Sequence, residues 1–200
     1  MDPIDFLALF AGGLNAFAFW RYNKDVFVGG TRPNAATWFL WSLVTLVNTT
    51  SYYGMKVKWA TLVVMVSDTT LCIATFTFLL FAGKFGRLNR GNWIVVWLSV
   101  GAVVLWKATS ARDGNMMVQI PMILSFLPIL NDARKGKTIE DPWVWVLFTS
   151  SFIINFVVVC FTWLHRAEFV YPTVATVMHA ALVYYAFRGK RIYAQSATDI

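Results

Sequence analysis

Long apolar runs separated by short polar connectors dominate the sequence. A helix needs roughly 20 apolar residues to cross a hydrocarbon core about 30 Å thick. Seven runs have about this length, and they cover residues 4–21, 35–53, 58–82, 92–109, 115–132, 142–164 and 167–188. The connectors are as short as KFGRLNRGN and NDARKGKTIEDP, so no soluble domain fits between the runs. The pattern predicts an all-α membrane protein with seven transmembrane helices.

Composition strengthens this prediction. Hydrophobic residues make up 58% of the chain and charged residues only 14%, which is too little polar surface to cover a soluble globule. The formal net charge is +7, but the basic residues are spread over the connectors and form no single basic face. They are therefore interpreted as topology signals, and a nucleic-acid partner is not expected. The expected partners are the lipid bilayer and a small-molecule substrate, with a homo-oligomer possible.

The distribution of Lys and Arg predicts an orientation. Twelve of the 17 basic residues lie in the connectors after the first, third and fifth runs and in the C-terminal tail; five lie on the other side. By the positive-inside rule the N-terminus is outside and the C-terminus is in the cytoplasm, most simply of the plasma membrane. The N-terminus carries Asp2 and Asp5 and lacks the basic residues that begin a signal peptide, so the first run is expected to be a retained helix.

The two halves of the chain resemble each other at a spacing of 106 to 107 residues. FAGK at 81–84 matches FRGK at 187–190, Trp38 matches Trp145, and Asn48 matches Asn155. The alternative is that Trp at interfaces and Lys at cytoplasmic ends recur in any membrane protein. A true repeat gives two parallel three-helix bundles, 1–91 and 111–200, joined by a linker transmembrane helix at 92–110.

A parallel 3+1+3 repeat with these termini resembles the SWEET sugar transporters and the wider PQ-loop superfamily, which includes the nicotinamide riboside transporter type. In QIPMILSFLPILNDARKGKTIEDPW, Gln119, Pro121 and Pro128 resemble the proline-bearing helix of PQ-loop repeats. SYYGMKVKW at 51–59 resembles the junction between the second and third helices of a SWEET repeat.

The resemblance implies alternating-access transport of a sugar-like or vitamin-like solute, either passive or proton-linked. The alternative is a seven-helix receptor or binding protein on the same fold. An enzyme is not expected, because no Cys-His, Ser-His-Asp or His-rich spacing lies at an interface. No cofactor or metal is expected either.

Asp68 is the most informative candidate, because it lies near the middle of the third run. A carboxylate at the bilayer centre costs about 2.5–3.5 kcal/mol on insertion scales, so such residues usually face a bundle interior or a wet pathway. The alternative is a structural hydrogen-bond anchor. His179, Asn48 and Asn155 are further substrate-binding candidates, with a satisfied core histidine and interhelical hydrogen bonding as the alternatives.

The resemblance adds further candidates. Gln119 belongs to the proline-bearing helix, and Thr173 lies in the neighbourhood that, with Asp68, replaces the paired Asn of SWEET helices. Pro121, Pro128 and Pro172 are candidate hinges, because each removes a backbone hydrogen bond; static kinks are the alternative.

Two clusters lie near the predicted cytoplasmic helix ends. Interface anchoring is the expected role of Trp38, Trp41, Trp143 and Trp145, and stacking on a substrate ring is the alternative. The acidic and basic residues at 132–141 form either a solvated loop or a gate of breakable ion pairs.

Overall fold

The computed structural model describes residues 1–31, 33–84, 87–135 and 141–198, with side chains up to residue 189. Within these ranges the chain is helical and has no strand, which confirms the all-α prediction. The α-helices are α1 (Pro3–Phe27), α2 (Ala35–Gly54), α3 (Trp59–Phe81), α4 (Arg90–Ala108), α5 (Ala111–Arg134), α6 (Pro142–Thr162) and α7 (Val170–Thr198). A short 3-10 helix, Arg166–Phe169, precedes α7.

Six of the helical segments described are long and apolar enough to cross a membrane: α1, α3, α4, α5, α6 and Arg166–Gly189. The protein is thus a helical membrane protein. The remaining predicted span corresponds to α2, which has 20 residues and no charged side chain. Its Thr, Ser, Asn and Tyr residues lower its mean hydropathy, and most of them are buried against other helices. This helix therefore directs its polar groups into the bundle.

Side chains at the connectors fix where the helices begin. Asn34 Oδ1 accepts a hydrogen bond of 3.2 Å from the Thr37 amide at the start of α2. Asp141 Oδ1 accepts one of 3.1 Å from the Trp143 amide at the start of α6. Such caps satisfy backbone donors that have no partner within the helix. The two capping residues are 107 positions apart in the sequence.

The helices pack around a common centre. α1 packs against α3 and α6, α2 against α3 and α5, and α7 against α5 and α6. These neighbours close a ring in the order α1, α3, α2, α5, α7, α6. α4 packs against α5 and α2 from outside the ring and buries only Asn92, Val95, Ser99 and Ala102. The ring thus surrounds a central space that α4 does not reach.

The contact between α4 and α5 depends on a glycine. A Cβ atom at Gly114 would lie 2.5 Å from Trp106 Cβ and 3.1 Å from the Ala102 carbonyl oxygen, whereas one at Gly101 would meet nothing within 4 Å. Overpacking costs about 1–3 kcal/mol, while alanine gains about 1 kcal/mol over glycine in a helix. We expect Gly114→Ala to lower the melting temperature in detergent and Gly101→Ala to maintain or raise it. Equal shifts in the same direction would contradict this packing.

Candidate functional site

A small cavity lies at the centre of the six-helix ring. Its described lining comes from α1, α2, α3, α5, α6 and α7, and none of it comes from α4. The space at its centre has a volume of about 20 Å³, and a single water molecule needs at least about 10–15 Å³. In this conformation the helices thus leave room at the centre for little more than one water molecule.

The aromatic walls of the cavity are built from residues that are 107 positions apart. Three such pairs line the space: Phe19 and Phe126, Trp38 and Trp145, and Trp41 and Phe148. Phe19 and Phe126 come from α1 and α5, and the other two pairs come from α2 and α6. Large rings thus face the centre from opposite sides of the ring of helices.

The polar groups do not share this symmetry. Asp68 on α3 and Ala175 on α7 are 107 positions apart and both line the cavity, as do Cys72 and His179. At the first pair of equivalent positions, α3 has a carboxylate where α7 has a methyl group. At the second pair, α3 has a thiol where α7 has an imidazole. Asp68 is the one acidic side chain among the described lining residues, and no Lys or Arg accompanies it there.

Asp68 is buried, with 6% of its surface exposed. Its Oδ2 accepts a hydrogen bond of 2.8 Å from the Tyr171 hydroxyl of α7. The amide nitrogen of Asn15 lies close to the carboxylate but has no partner in hydrogen-bonding geometry among the described residues. One neutral donor thus holds the carboxylate, and no Lys or Arg lies with it among the described residues that line the cavity.

His179 lies among aromatic rings. Its Nδ1 is 2.7 Å from the Ala175 carbonyl oxygen, which can only accept a hydrogen bond, so Nδ1 carries the proton and Nε2 of the neutral ring is an acceptor. The ring centroids around it lie 4.8 to 6.4 Å away and belong to Phe152, Phe126, Phe148, Trp145 and Trp41. The imidazole is therefore a neutral polar group inside an aromatic cage.

Two indole N–H groups at the cavity have no partner. Trp38 Nε1 donates a hydrogen bond of 3.0 Å to the Tyr22 hydroxyl. The Nε1 atoms of Trp41 and Trp145 are buried and have no hydrogen-bond acceptor among the described residues. Leaving a buried donor unpaired is costly, so these two groups are available to an acceptor atom on a bound molecule.

The burial of the tryptophans corrects an expectation from sequence. Trp38, Trp41 and Trp145 are 1%, 4% and 0% exposed, and only Trp143 is 55% exposed, as an interface anchor should be. Interface and core tryptophans have the same flanking composition, and only packing separates them. The stacking alternative is thus the one that matches the position of these three rings.

Asn48 and Gln119 do not line the cavity. Asn48 Oδ1 accepts hydrogen bonds from Asn115 Nδ2 at 3.0 Å and from Gln119 Nε2 at 2.9 Å. Asn115 Nδ2 also donates to Ser51 Oγ at 2.9 Å. All four side chains are buried. They form an amide cluster between α2 and α5, which corresponds to the interhelical alternative.

Asn155 is also buried and does not line the cavity, and neither its Oδ1 nor its Nδ2 has a partner among the described residues. Its helix, α6, faces α1, where Ser151 Oγ donates to the Ala11 carbonyl at 2.9 Å. The α1 positions 107 residues before Asn115 and Gln119 are Ala8 and Gly12. The partners that Asn48 has on α5 are thus replaced by small apolar residues on α1.

The remaining candidates are not among the described residues that line the cavity. Thr173 is exposed, and its hydroxyl donates to the Phe169 carbonyl at 2.7 Å. Pro172 is buried in the first turn of α7, where a missing N–H removes no helical hydrogen bond. Its role as a hinge stays a prediction. Pro121 and Pro128 lie inside α5, which continues from Ala111 to Arg134 through both of them.

Some features of the site were not foreseen. Tyr171, Phe19 and Phe126 were not candidates, although Phe19 and Phe126 carry the 107-residue spacing. Among the described residues, no three His, Cys, Asp or Glu side chains come together as a metal site. Comparison of the chain with protein-family models, with curated proteins and with solved structures finds no match.

Proposed function

We propose that the protein is a small-molecule membrane transporter of the SWEET-like, PQ-loop type, which works by alternating access. The observation that carries this proposal is the closed cavity at the centre of six helices, with aromatic walls that recur at a spacing of 107 residues. A binding site between two related bundles near the middle of the membrane is the usual arrangement in transporters built from repeats.

Helix packing supports the 3+1+3 part of the proposal. The ring order places α3 between α1 and α2, and α7 between α5 and α6. The contacts of α1 with α6 and of α2 with α5 are equivalent under exchange of the two triplets. In this arrangement α4 is the linker whose extra crossing lets both triplets run in the same direction, with the N-terminus outside and the C-terminus in the cytoplasm.

Contacts between the two bundles close the cavity on its outer side. Tyr52 at the end of α2 donates a hydrogen bond of 2.8 Å to the Glu168 carbonyl in the 3-10 helix before α7. Thr61 on α3 and Thr162 on α6 form one of 2.9 Å. With the Tyr171 to Asp68 bond, these contacts join residues of the first bundle to residues of the second. Opening to the outside requires that they separate.

An ion pair joins the bundles on the cytoplasmic side. Arg21 in the last third of α1 contacts Asp141 at the start of α6, with Nη2 and Oδ2 2.6 Å apart. Asp141 belongs to the 132–141 loop for which a gate of ion pairs is one expectation, whereas Arg21 lies outside that loop; Lys137 and Glu140 lie outside the described residues. In the proposed mechanism this conformation is the occluded one, from which either side opens.

The Arg21 to Asp141 pair is expected to control opening more than stability. The side chains are 39% and 18% exposed, and exposed pairs contribute roughly 0.2–1 kcal/mol. Asp141→Asn retains an oxygen to cap α6 but removes the charge. We expect Arg21→Gln and Asp141→Asn each to change the melting temperature little and to speed labelling of Cys72 from the cytoplasmic side. The double variant should match either single variant, because both remove one interaction; additive effects would contradict the pairing.

Uptake into liposomes tests the proposed function. Purified protein in liposomes is given a labelled panel of sugars, vitamins, amino acids and quaternary amines, with empty liposomes as the control. Saturable uptake of at least one compound is expected. Saturable binding without uptake would contradict a transport function and would favour a receptor on the same fold.

A further inference from the structure

The chemistry of the cavity selects the kind of molecule it binds. Asp68 is a buried carboxylate with one neutral hydrogen-bond donor, Tyr171, and no Lys or Arg among the described lining. Removing a charge from water is costly unless an opposite charge accompanies it. An intramembrane acidic residue of this kind usually has a partner on the transport pathway. A positive charge on the bound molecule would supply the partner that the described lining lacks.

The walls favour a particular kind of positive charge. Eight of the 13 lining residues carry aromatic rings, His179 included. Ring faces attract cations, and aromatic cages are used to recognise alkylated ammonium groups. A primary ammonium needs hydrogen-bond acceptors for its N–H groups, which ring faces do not supply well. An alkylated ammonium spreads its charge over C–H groups that fit against rings.

The free polar atoms argue against a sugar. A hexose brings several hydroxyl groups, and each of them needs partners when it is buried. The cavity offers the Asp68 carboxylate, His179 Nε2 and the unpaired indole N–H groups of Trp41 and Trp145. This set suits a molecule with one positive centre and one acceptor atom, such as a hydroxyl or a carbonyl oxygen.

We propose that the cavity binds a small organic cation of the alkylated ammonium type. This inference rests on the proposed function, because it names the substrate class of the same cavity. The cation lies between the rings of Trp41, Trp145 and Phe148 and near the carboxylate of Asp68, and an acceptor oxygen of the molecule receives the indole N–H groups. The present cavity is too small for it, so binding requires the bundles to separate slightly.

Choline and 3,3-dimethyl-1-butanol provide the sharpest test, because they have nearly the same shape and differ in charge. We would measure binding to the purified protein by calorimetry and by the shift in melting temperature, with tetramethylammonium and glucose as further probes. At least one of the two cations is expected to bind at least 10-fold more tightly than the neutral alcohol and glucose. Equal binding of choline and the alcohol, or no binding of either cation, would overturn the proposal.

Variants locate the binding. Asp68→Asn is expected to weaken cation binding at least 10-fold, and Asp5→Asn, the same change on α1 outside the described cavity lining, should leave it unchanged. If Asp68→Asn does not fold, Phe148→Leu is measured instead. This change removes a ring face but keeps a large apolar side chain. It should therefore weaken the binding of choline more than the binding of the alcohol. Unchanged cation binding in the folded variants would overturn the proposal.

Transport is measured separately, so the two proposals fail in different ways. Cation binding without uptake in liposomes would contradict the proposed transport function and support the proposed cation site. Uptake of glucose or another neutral solute, with no cation binding, would contradict the proposed cation site and support the proposed transport function.

Discussion

Asp68→Asn is expected to reduce saturable uptake into liposomes by about 30-fold or more. Asparagine keeps an oxygen that accepts the hydrogen bond from Tyr171 but loses the one negative charge of the described cavity lining. Removing one member of a buried charge pair costs about 2–5 kcal/mol, and each 1.4 kcal/mol is a factor of about ten. Initial rates of uptake for wild type and variant, corrected for the amount of reconstituted protein, measure the effect.

Two controls separate charge from folding. Asp5→Asn makes the same change elsewhere on the protein and should transport at the wild-type rate. Tyr171→Phe removes the 2.8 Å hydrogen bond but keeps the carboxylate, so its uptake should lie between those of wild type and Asp68→Asn. Wild-type uptake in a folded Asp68→Asn protein would show that the carboxylate is structural and lies outside the route.

Trp145→Ala is expected to destabilise the protein far more than Trp143→Ala. The two residues are neighbours in α6, but Trp145 is fully buried against Trp41, Phe148 and Tyr22, whereas Trp143 is 55% exposed. Replacing a buried tryptophan by alanine typically costs about 3–5 kcal/mol, while surface changes usually cost within about 0.5 kcal/mol. Melting temperatures in the same detergent measure the difference.

Trp38→Ala extends this test to the other bundle. Trp38 is 1% exposed and donates a hydrogen bond from its indole N–H to the Tyr22 hydroxyl. Trp38→Ala should therefore lower the melting temperature about as much as Trp145→Ala does. Similar small shifts for Trp38→Ala, Trp145→Ala and Trp143→Ala would contradict the cavity walls described above.

The helices could be predicted from the sequence because a membrane leaves little freedom in their length and hydropathy. The predicted spans match the observed helices within a few residues at most ends, although α1, α5 and α7 extend beyond them, α7 by the most. Asp68 and His179 were found as candidates for a similar reason: a titratable group in an apolar run is expensive and so has a specific place. Both line the central cavity.

The helical period explains why other predictions missed the cavity. On α7 the lining residues Tyr171, Ala175 and His179 recur every four positions, as one face of a helix requires. Thr173 is two positions from Tyr171, so it lies on nearly the opposite face. Extending a stripe in steps of four from His179 would have identified Tyr171.

The partners of the amides depend on three-dimensional packing that the repeat alone does not reveal. Asn48 and Asn155 match at a spacing of 107 residues, yet only Asn48 has amide partners. The difference comes from α5 and α1, where Asn115 and Gln119 correspond to Ala8 and Gly12. A pair of matching residues thus predicts matching positions but not matching interactions.

Labelling of Cys72 from each side of the membrane tests alternating access most directly, because it needs no knowledge of the substrate. Cys72 lines the cavity and is buried, whereas Cys160, the other free cysteine, is exposed and can be replaced by serine. A membrane-impermeant thiol reagent is applied to one face of oriented proteoliposomes and then, in a second sample, to the other. The proposed mechanism predicts that Cys72 is labelled slowly from both faces; labelling from one face only, or from neither, would contradict it.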